Sequence, residues 1–295
     1  MLHALATALT PIFSLMLLGI LLSRKTDYLD SPQLGSLVSN VGIPALLLHS
    51  VLVMEMDVEA MGSLILSTVV ILALVAMINW GLLKLLKLSP TFYVSPLTNP
   101  NTGNLGLPVC FAFFGQPGLA AGIVISSVVQ ISHFTLGTGT MSGSYHPKAL
   151  LKNGPVMALL LGALLLLLDW QLPTPVMNTL DMLGSITLPV MLLLLGRSVS
   201  QLKLSDKGAL GRVLLFSAWR PLVGVAVAFV VTRFMPLSST EQLTMMVQMA
   251  MPMAVISYLL TVKYGGPKDE IALMILLSMP FSFLTASAVW WFGLH

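Results

Sequence analysis

The sequence predicts an all-α membrane protein: ten transmembrane helices in a 5+5 inverted repeat, helices 4 and 9 broken, and both termini outside. Three observations predict it. Of 295 residues, 56% are hydrophobic and 8% charged, against about 25% charged in an ordinary soluble domain. Lys and Arg gather on alternate connections between the apolar stretches. Prolines recur in the two halves at a nearly constant offset. Composition also excludes whole classes of function. A formal net charge of +3 spread over so few charged groups leaves no basic patch for nucleic acid and no means of staying soluble or disordered. The single cysteine, Cys110, forms no internal disulfide and no zinc site.

A bilayer-spanning helix needs about 20 predominantly apolar residues. The first such stretch is 2–23. No Lys or Arg precedes it, and Arg24 and Lys25 follow it, the wrong order for a secretory signal, so it reads as a permanent span. The others are 31–54, 60–84, 91–114, 117–142, 154–170, 176–197, 208–233, 241–264 and 269–294. The breaks between them are turn-forming or charged: SRKTDYLD, MEMDVEA, LKLSP, GQPG, SYHPKALLKN, DWQLPTP, SQLKLSDKG, MPLSST and YGGPKDE. The first repeat is then 1–142, a cytoplasmic link 143–153, and the second repeat 154–295.

Orientation follows from the cations. Arg24, Lys25, Lys84, Lys87, Lys148, Lys152, Arg197, Lys203, Lys207, Arg212, Lys263 and Lys268 all fall after odd-numbered spans, whereas only Arg233 falls on the other side. The Lys/Arg-rich side is the cytoplasm, and a bacterial inner membrane is the expected location. With five spans per half, the halves enter the bilayer from opposite sides, the layout of many secondary transporters. Pro44 and Pro189 are 145 residues apart, and Pro108 and Pro252 are 144 apart. Both pairs sit in matching spans, two with seven and four with nine.

The most unusual stretch is SPLTNPNTGNLGLP, residues 95–108, with two glycines, three asparagines and three prolines in span four. Such a stretch cannot be a continuous α-helix. Irregular backbone at membrane depth is tolerated only where it is buried in protein or lines a cavity. Residues 105–115 that follow make about 16 Å of helix, half a bilayer, with Pro108 in the first turn where its missing N–H costs little. The bare N–H groups of that half-helix carry partial positive charge and suit an anion. Span nine mirrors this, with 241–251 as one half and Pro252 opening the next. Asn101, Thr102 and Asn104, with Gln248, Ser257 and Tyr258 from span nine, are the polar groups that would line a shared site. A carboxylate would be held there without a buried Lys or Arg.

The string NPNTGNLGLPVCFAFFG, the FTLGTG that ends span five, TLPVMLLLLGRS in span seven and MPMAVISYLLTVKYGGPKDEIALMILLSMPFSFLT at the end together resemble the auxin efflux carrier family of transporters, over nearly the whole chain. The resemblance implies ten helices in an inverted repeat, with helices 4 and 9 crossing at their prolines, a plan shared with bile-acid sodium symporters. It implies a scaffold of spans 1, 2, 6 and 7 and a moving domain of spans 3–5 and 8–10. It also implies organic-anion substrates, auxin in plants and malonate or other carboxylates in bacteria. Asn101, Gly103, Asn104, Pro108 and Pro252 carry over as site residues. Many relatives have a polar residue, often Asn, four positions after the ninth-span proline. Here that place is Ile256, so a symmetric two-asparagine site is not expected.

Ionisable groups at membrane depth are candidates for function. Arg220 lies eight residues, about 12 Å, beyond Arg212. It reads either as snorkelling to the cytoplasmic headgroups or as a partner for a substrate carboxylate. Asp181 reads as a solvated or capping residue near the outer surface. His49 and His133 are candidate proton relays, with hydrogen-bonded packing as the plainer reading. The methionines of MMVQMAMPM suit adaptable packing at a sliding interface better than a metal site.

The leading expectation is a secondary carrier of small organic anions, with no cofactor and with H+ or Na+ as coupling ion. Sodium would sit at Asn101, Thr102, Asn104 and Gln248. The expected partners are the anion, the bilayer and a second copy in a homodimer. A sodium-coupled carrier of the bile-acid symporter type is the close runner-up, and a channel is a further alternative. An intramembrane enzyme built on GTMSGSYH, with Ser142, Ser144 and His146, is the farther one, and neither HExxH nor paired aspartates is present.

Overall fold

The computed structural model describes residues 2–53, 58–143, 154–201 and 210–294, and they are helical with no β-strand among them. In chain order the helices are α1 (Leu2–Lys25), α2 (Pro32–Leu37), α3 (Ile43–Leu52), α4 (Val58–Leu85), α5 (Pro90–Thr98), α6 (Leu107–Ser132), α7 (Thr138–Ser142), α8 (Gly154–Leu167), α9 (Thr174–Ser200), α10 (Leu210–Thr232), α11 (Ser239–Ala250), α12 (Val255–Lys263) and α13 (Lys268–Leu294). Wider π-helical turns, Val38–Gly42, Thr102–Gly106 and His133–Gly137, join α2 to α3, lead into α6 and join α6 to α7.

Each of the ten apolar stretches carries helix. Among the described residues, six stretches are long and apolar enough to cross a membrane: Gln33–Leu52, Met61–Leu85, Thr102–Ser142, Thr174–Leu194, Leu210–Thr232 and Lys268–Gly293. Part of the shortfall from ten is physical. α5, α11 and α12 hold 9, 12 and 9 residues, so each alone covers well under a bilayer at 1.5 Å per residue. The stretch 102–142 combines two expected spans. Gly115, at φ 65° and ψ −151°, bends α6 just before Pro117. Only glycine reaches that conformation without strain.

The chain divides into two compact units. One comprises residues 6–55 and 146–201. Its helices touch backbone to backbone through glycine, as membrane helices do where small residues allow close approach. A methyl group at Gly196 would strike the Met16 carbonyl and come within 2.9 Å of the Ile20 nitrogen, and one at Gly184 would lie 3.0 Å from the Leu46 Cα. Arg197 pairs with Asp30 at 2.6 Å, and Ser200 Oγ donates to Ser23 Oγ at 2.9 Å. Backbone atoms cannot move aside as a side-chain tip can. Gly196→Val is therefore expected to destabilise the folded protein by about 1–3 kcal/mol, measured as a lowered thermal midpoint in detergent. A midpoint equal to that of the parent would contradict this packing.

The other unit comprises residues 1–5, 56–145 and 202–295. Its interior holds Leu97, Leu105, Ile125 and Phe216 together with Met245, Met249, Met251 and Met253, all fully buried. Four methionines of MMVQMAMPM are thus buried around the breaks. Unbranched thioethers suit the irregular gaps that broken helices leave.

Candidate functional site

Two proline-induced breaks meet inside the second unit. α5 starts with Ser89 as N-cap, its Oγ accepting from the Thr91 N–H, and Pro90 as first residue. It stops at Asn99, whose backbone is extended (φ −92°, ψ 112°), because a residue preceding proline is pushed out of the helical region. α11 starts at a capping box: Ser238 Oγ accepts from the Glu241 N–H, and Glu241 accepts from the Ser238 N–H at 2.7 Å. It stops at Met251, extended at φ −60° and ψ 152°, again ahead of a proline. The freed segments run antiparallel, with Pro100 bridged to Met253, and the Asn101 N–H donates to the Pro252 carbonyl at 2.8 Å. Pro252 therefore lies in the extended break and not at the start of the following helix, which opens at Val255. Pro108 does occupy the first turn of α6.

Past each break the chain turns helical again with its first amides bare. The opening bond of the π turn runs from the Gly106 N–H to the Asn101 carbonyl at 3.1 Å, so the amides of residues 102–105 lie ahead of it. In α12 the Ser257 N–H bonds to the Ala254 carbonyl at 3.0 Å, and those of Val255 and Ile256 lie ahead.

Side chains around the crossing are buried and only partly satisfied. Thr102 Oγ1 donates to Ser126 Oγ at 3.1 Å. Gln248 Nε2 donates to the Gly122 carbonyl at 3.5 Å, and its Oε1 lies against Gly106. Asn101 is 5% exposed, yet its Nδ2 has no hydrogen-bond partner. The same holds for Gln248 Oε1, Gln130 Oε1, Thr244 Oγ1, Ser257 Oγ and His133 Nδ1. Native proteins leave few such groups. Asn104 is buried, while Gly103 and Tyr258 are half-buried. Ile256 joins an apolar cluster with Met141 and Leu260.

Arg220 corrects one expectation. It is fully buried, so it does not snorkel. Its Nη1 donates to the Met249 carbonyl and its Nη2 to the Thr98 carbonyl at 3.4 Å. His133 is buried on the π turn after α6. His49 belongs to the other unit, with Nδ1 4.0 Å from the exposed Asp181. A cavity of about 290 Å3 lined by Leu165, Asp169, Trp170 and Met177 also belongs to that unit. Ser144 and His146 lie outside the described residues. No cluster of metal-ligating side chains occurs among those described.

Sequence reasoning missed Gln130, Thr244 and Asn79. Asn79 accepts from Trp219 Nε1 at 2.9 Å and donates to Thr98 Oγ1 at 3.5 Å, holding the end of α5. A polar residue in mid-span was the signal in each case. It also missed Glu270, which receives two bonds from Arg212 at 2.6 and 2.8 Å and one from Tyr93 Oη at 2.9 Å, tying α5, α10 and α13 together. Both partners are partly shielded from water, so Glu270→Ala is expected to cost about 1–2 kcal/mol, measured by thermal unfolding. Loss of under a few tenths would contradict the tie.

The family model described as membrane transport protein matches this chain over residues 4–147 and 140–290. An uncharacterized transporter of Methanocaldococcus jannaschii is 29% identical over 218 residues, covering 71% of this chain and 70% of the relative. Together with the apolar helices, these matches make the chain a transport protein of the membrane, and it belongs to the membrane transport protein family, that of the auxin efflux carriers.

Proposed function

We propose that the chain is a secondary carrier of small organic anions, bound where the two breaks cross. One observation carries the reading. Two bare helix N-termini and the unpartnered Asn101 amide adjoin a single hydrogen-bonded crossing, and no ion pair involving a carboxylate occurs at that crossing among the described residues. Partial positive charge with amide donors is the recognition chemistry of a carboxylate. Thr102, Gly103, Asn104 and Pro108 from one side, with Gln248, Pro252, Ser257 and Tyr258 from the other, form the site. The ten helical stretches make a 5+5 inverted repeat with both termini outside. The unit of residues 56–145 and 202–295 carries the site past the unit of residues 6–55 and 146–201, so that access alternates. The protein resides in a bacterial inner membrane, as a homodimer.

A second reading rests on a different observation. Gln130 Oε1 and Gln248 Oε1 are buried acceptors without donors, and such oxygens suit a cation such as Na+ that travels with the anion.

Uptake into proteoliposomes of the purified chain tests both. A panel of mono- and dicarboxylates is offered with and without Na+ and with and without a pH gradient. Saturable uptake of at least one carboxylate is expected. Flux that never saturates would instead mark a channel, and no carboxylate flux in any arm would remove the reading. Dependence on Na+ would select the second form.

A further inference from the structure

Arg220 is the one group at the crossing whose charge has no partner in the account so far. Its guanidinium is fully buried, and among the described residues no carboxylate lies within ion-pair distance of it. A bare buried cation is strongly disfavoured unless something of opposite sign surrounds it. Its Nε has no hydrogen-bond partner, and the groups that accept from its two Nη atoms are backbone carbonyls. The Met249 carbonyl ends the last turn of α11, and the Thr98 carbonyl ends α5. These are the carboxyl-terminal ends of the first halves of both broken helices. Each such end carries about half a negative elementary charge, so two of them balance about one guanidinium.

We infer that Arg220 is a positioning residue that neutralises both carboxyl-terminal half-helix ends at once, so that the crossing is left with the charge of its two amino-terminal ends alone and selects ligands bearing a single negative charge. The inference rests on the anion-carrier reading and deepens it. Breaking two helices that cross leaves four charged ends at the crossing. Without Arg220 the two negative ends would largely cancel the two positive ones. With it, about one unit of positive charge remains. Gly224 makes room for this arrangement. A methyl group there would strike the Met249 carbonyl and lie 3.2 Å from Arg220 Nη1.

The test reads the local potential without needing to know the substrate. In a Cys110→Ser background of the full chain, Gly103→Cys places a thiol beside the bare amides. A Cβ at Gly103 meets nothing closer than Ser126 Oγ at 3.5 Å, so it fits. The probes are two methanethiosulfonates of similar size, one bearing a sulfonate and one a trimethylammonium group. Their rates are each normalised to a free thiol in solution. The anionic reagent is expected to react faster in the Arg220 parent. Arg220→Gln and Arg220→Met are expected to lower the anion-to-cation ratio at least severalfold, because a lost unit charge acts on the two probes with opposite sign. Arg220→Lys should keep the ratio within about threefold.

A neutral variant that elutes as a single folded peak and keeps the parental ratio overturns the inference. Failure of both neutral variants to fold while Arg220→Lys folds with the parental ratio upholds it, since charge and not shape is then what the two ends require. Collapse of all three variants counts against it, because charge would not be the property that matters. A parent in which neither reagent reacts, or in which the cation reacts faster, removes the carrier reading and this inference together. Unchanged ratios in the variants alone remove only the inference.

Discussion

Asn101→Ala is expected to lower the affinity for the transported carboxylate by about 10- to 100-fold while leaving the protein folded. The two halves of that statement come from one observation. The Asn101 side chain is buried, but its Nδ2 has no protein partner, so truncation breaks no hydrogen bond from that donor. What holds the crossing is the Asn101 backbone N–H on the Pro252 carbonyl, which alanine retains. A hydrogen bond to a charged ligand contributes about 1.5–3 kcal/mol, hence the expected loss. Uptake kinetics and a thermal midpoint on the same preparation check it. Asn104→Ala is expected to act in the same direction. Unchanged uptake in both variants would take these residues out of the site, and a large fall in the midpoint would mean that Asn101 is structural.

Gly106→Ala is expected to cost about 1–3 kcal/mol of stability and most of the uptake, and Gln248→Ala is expected to relieve much of that cost. A Cβ at Gly106 would overlap Gln248 Oε1 and come within 2.8 Å of its Cδ. Gln248 is fully buried and also presses on Gly122, where a Cβ would lie 2.8 Å from Nε2, so it has nowhere to swing. The half-helix after the first break would be levered away from α11. The double-variant cycle makes this specific. The pair should be more stable than the sum of the single costs by about 1 kcal/mol, measured from chemical or thermal unfolding. Strict additivity would show that the two residues do not meet.

The breaks were legible because their cause is local. Asn99–Pro100 and Met251–Pro252 each force an extended residue, and that constraint acts between chain neighbours. Helix positions were legible for a similar reason, since apolar length and the turn residues between stretches are properties of short windows. Pro252 was misplaced by analogy with Pro108. Both follow a break, but in span nine the extended segment runs to Ala254, so the same residue type serves as linker in one half and as first turn in the other. The partners of Arg220 were not legible. They are backbone carbonyls, at positions 29 and 122 residues away in sequence, and a carbonyl leaves no mark in composition. Only a carboxylate partner would have been visible, and it is not what the arginine uses. The Tyr93–Glu270–Arg212 tie was hidden because Glu270 stands near the start of α13, where it reads as an ordinary acidic first turn. Thr244 was a single hydroxyl residue in an apolar span, indistinguishable by type from Ser127 and Thr232, which bond their own helix carbonyls.

The central claim is that bare amides on both sides of the crossing hold the anion. Hydrogen–deuterium exchange of the purified chain, with and without the carboxylate that saturates uptake at the lowest concentration, tests it most directly. Saturable protection of peptides covering residues 101–106 and 253–257, with the same half-maximal concentration in both, is the predicted result. Protection confined to one of these peptides, or found only in residues 6–55 and 146–201, would contradict it.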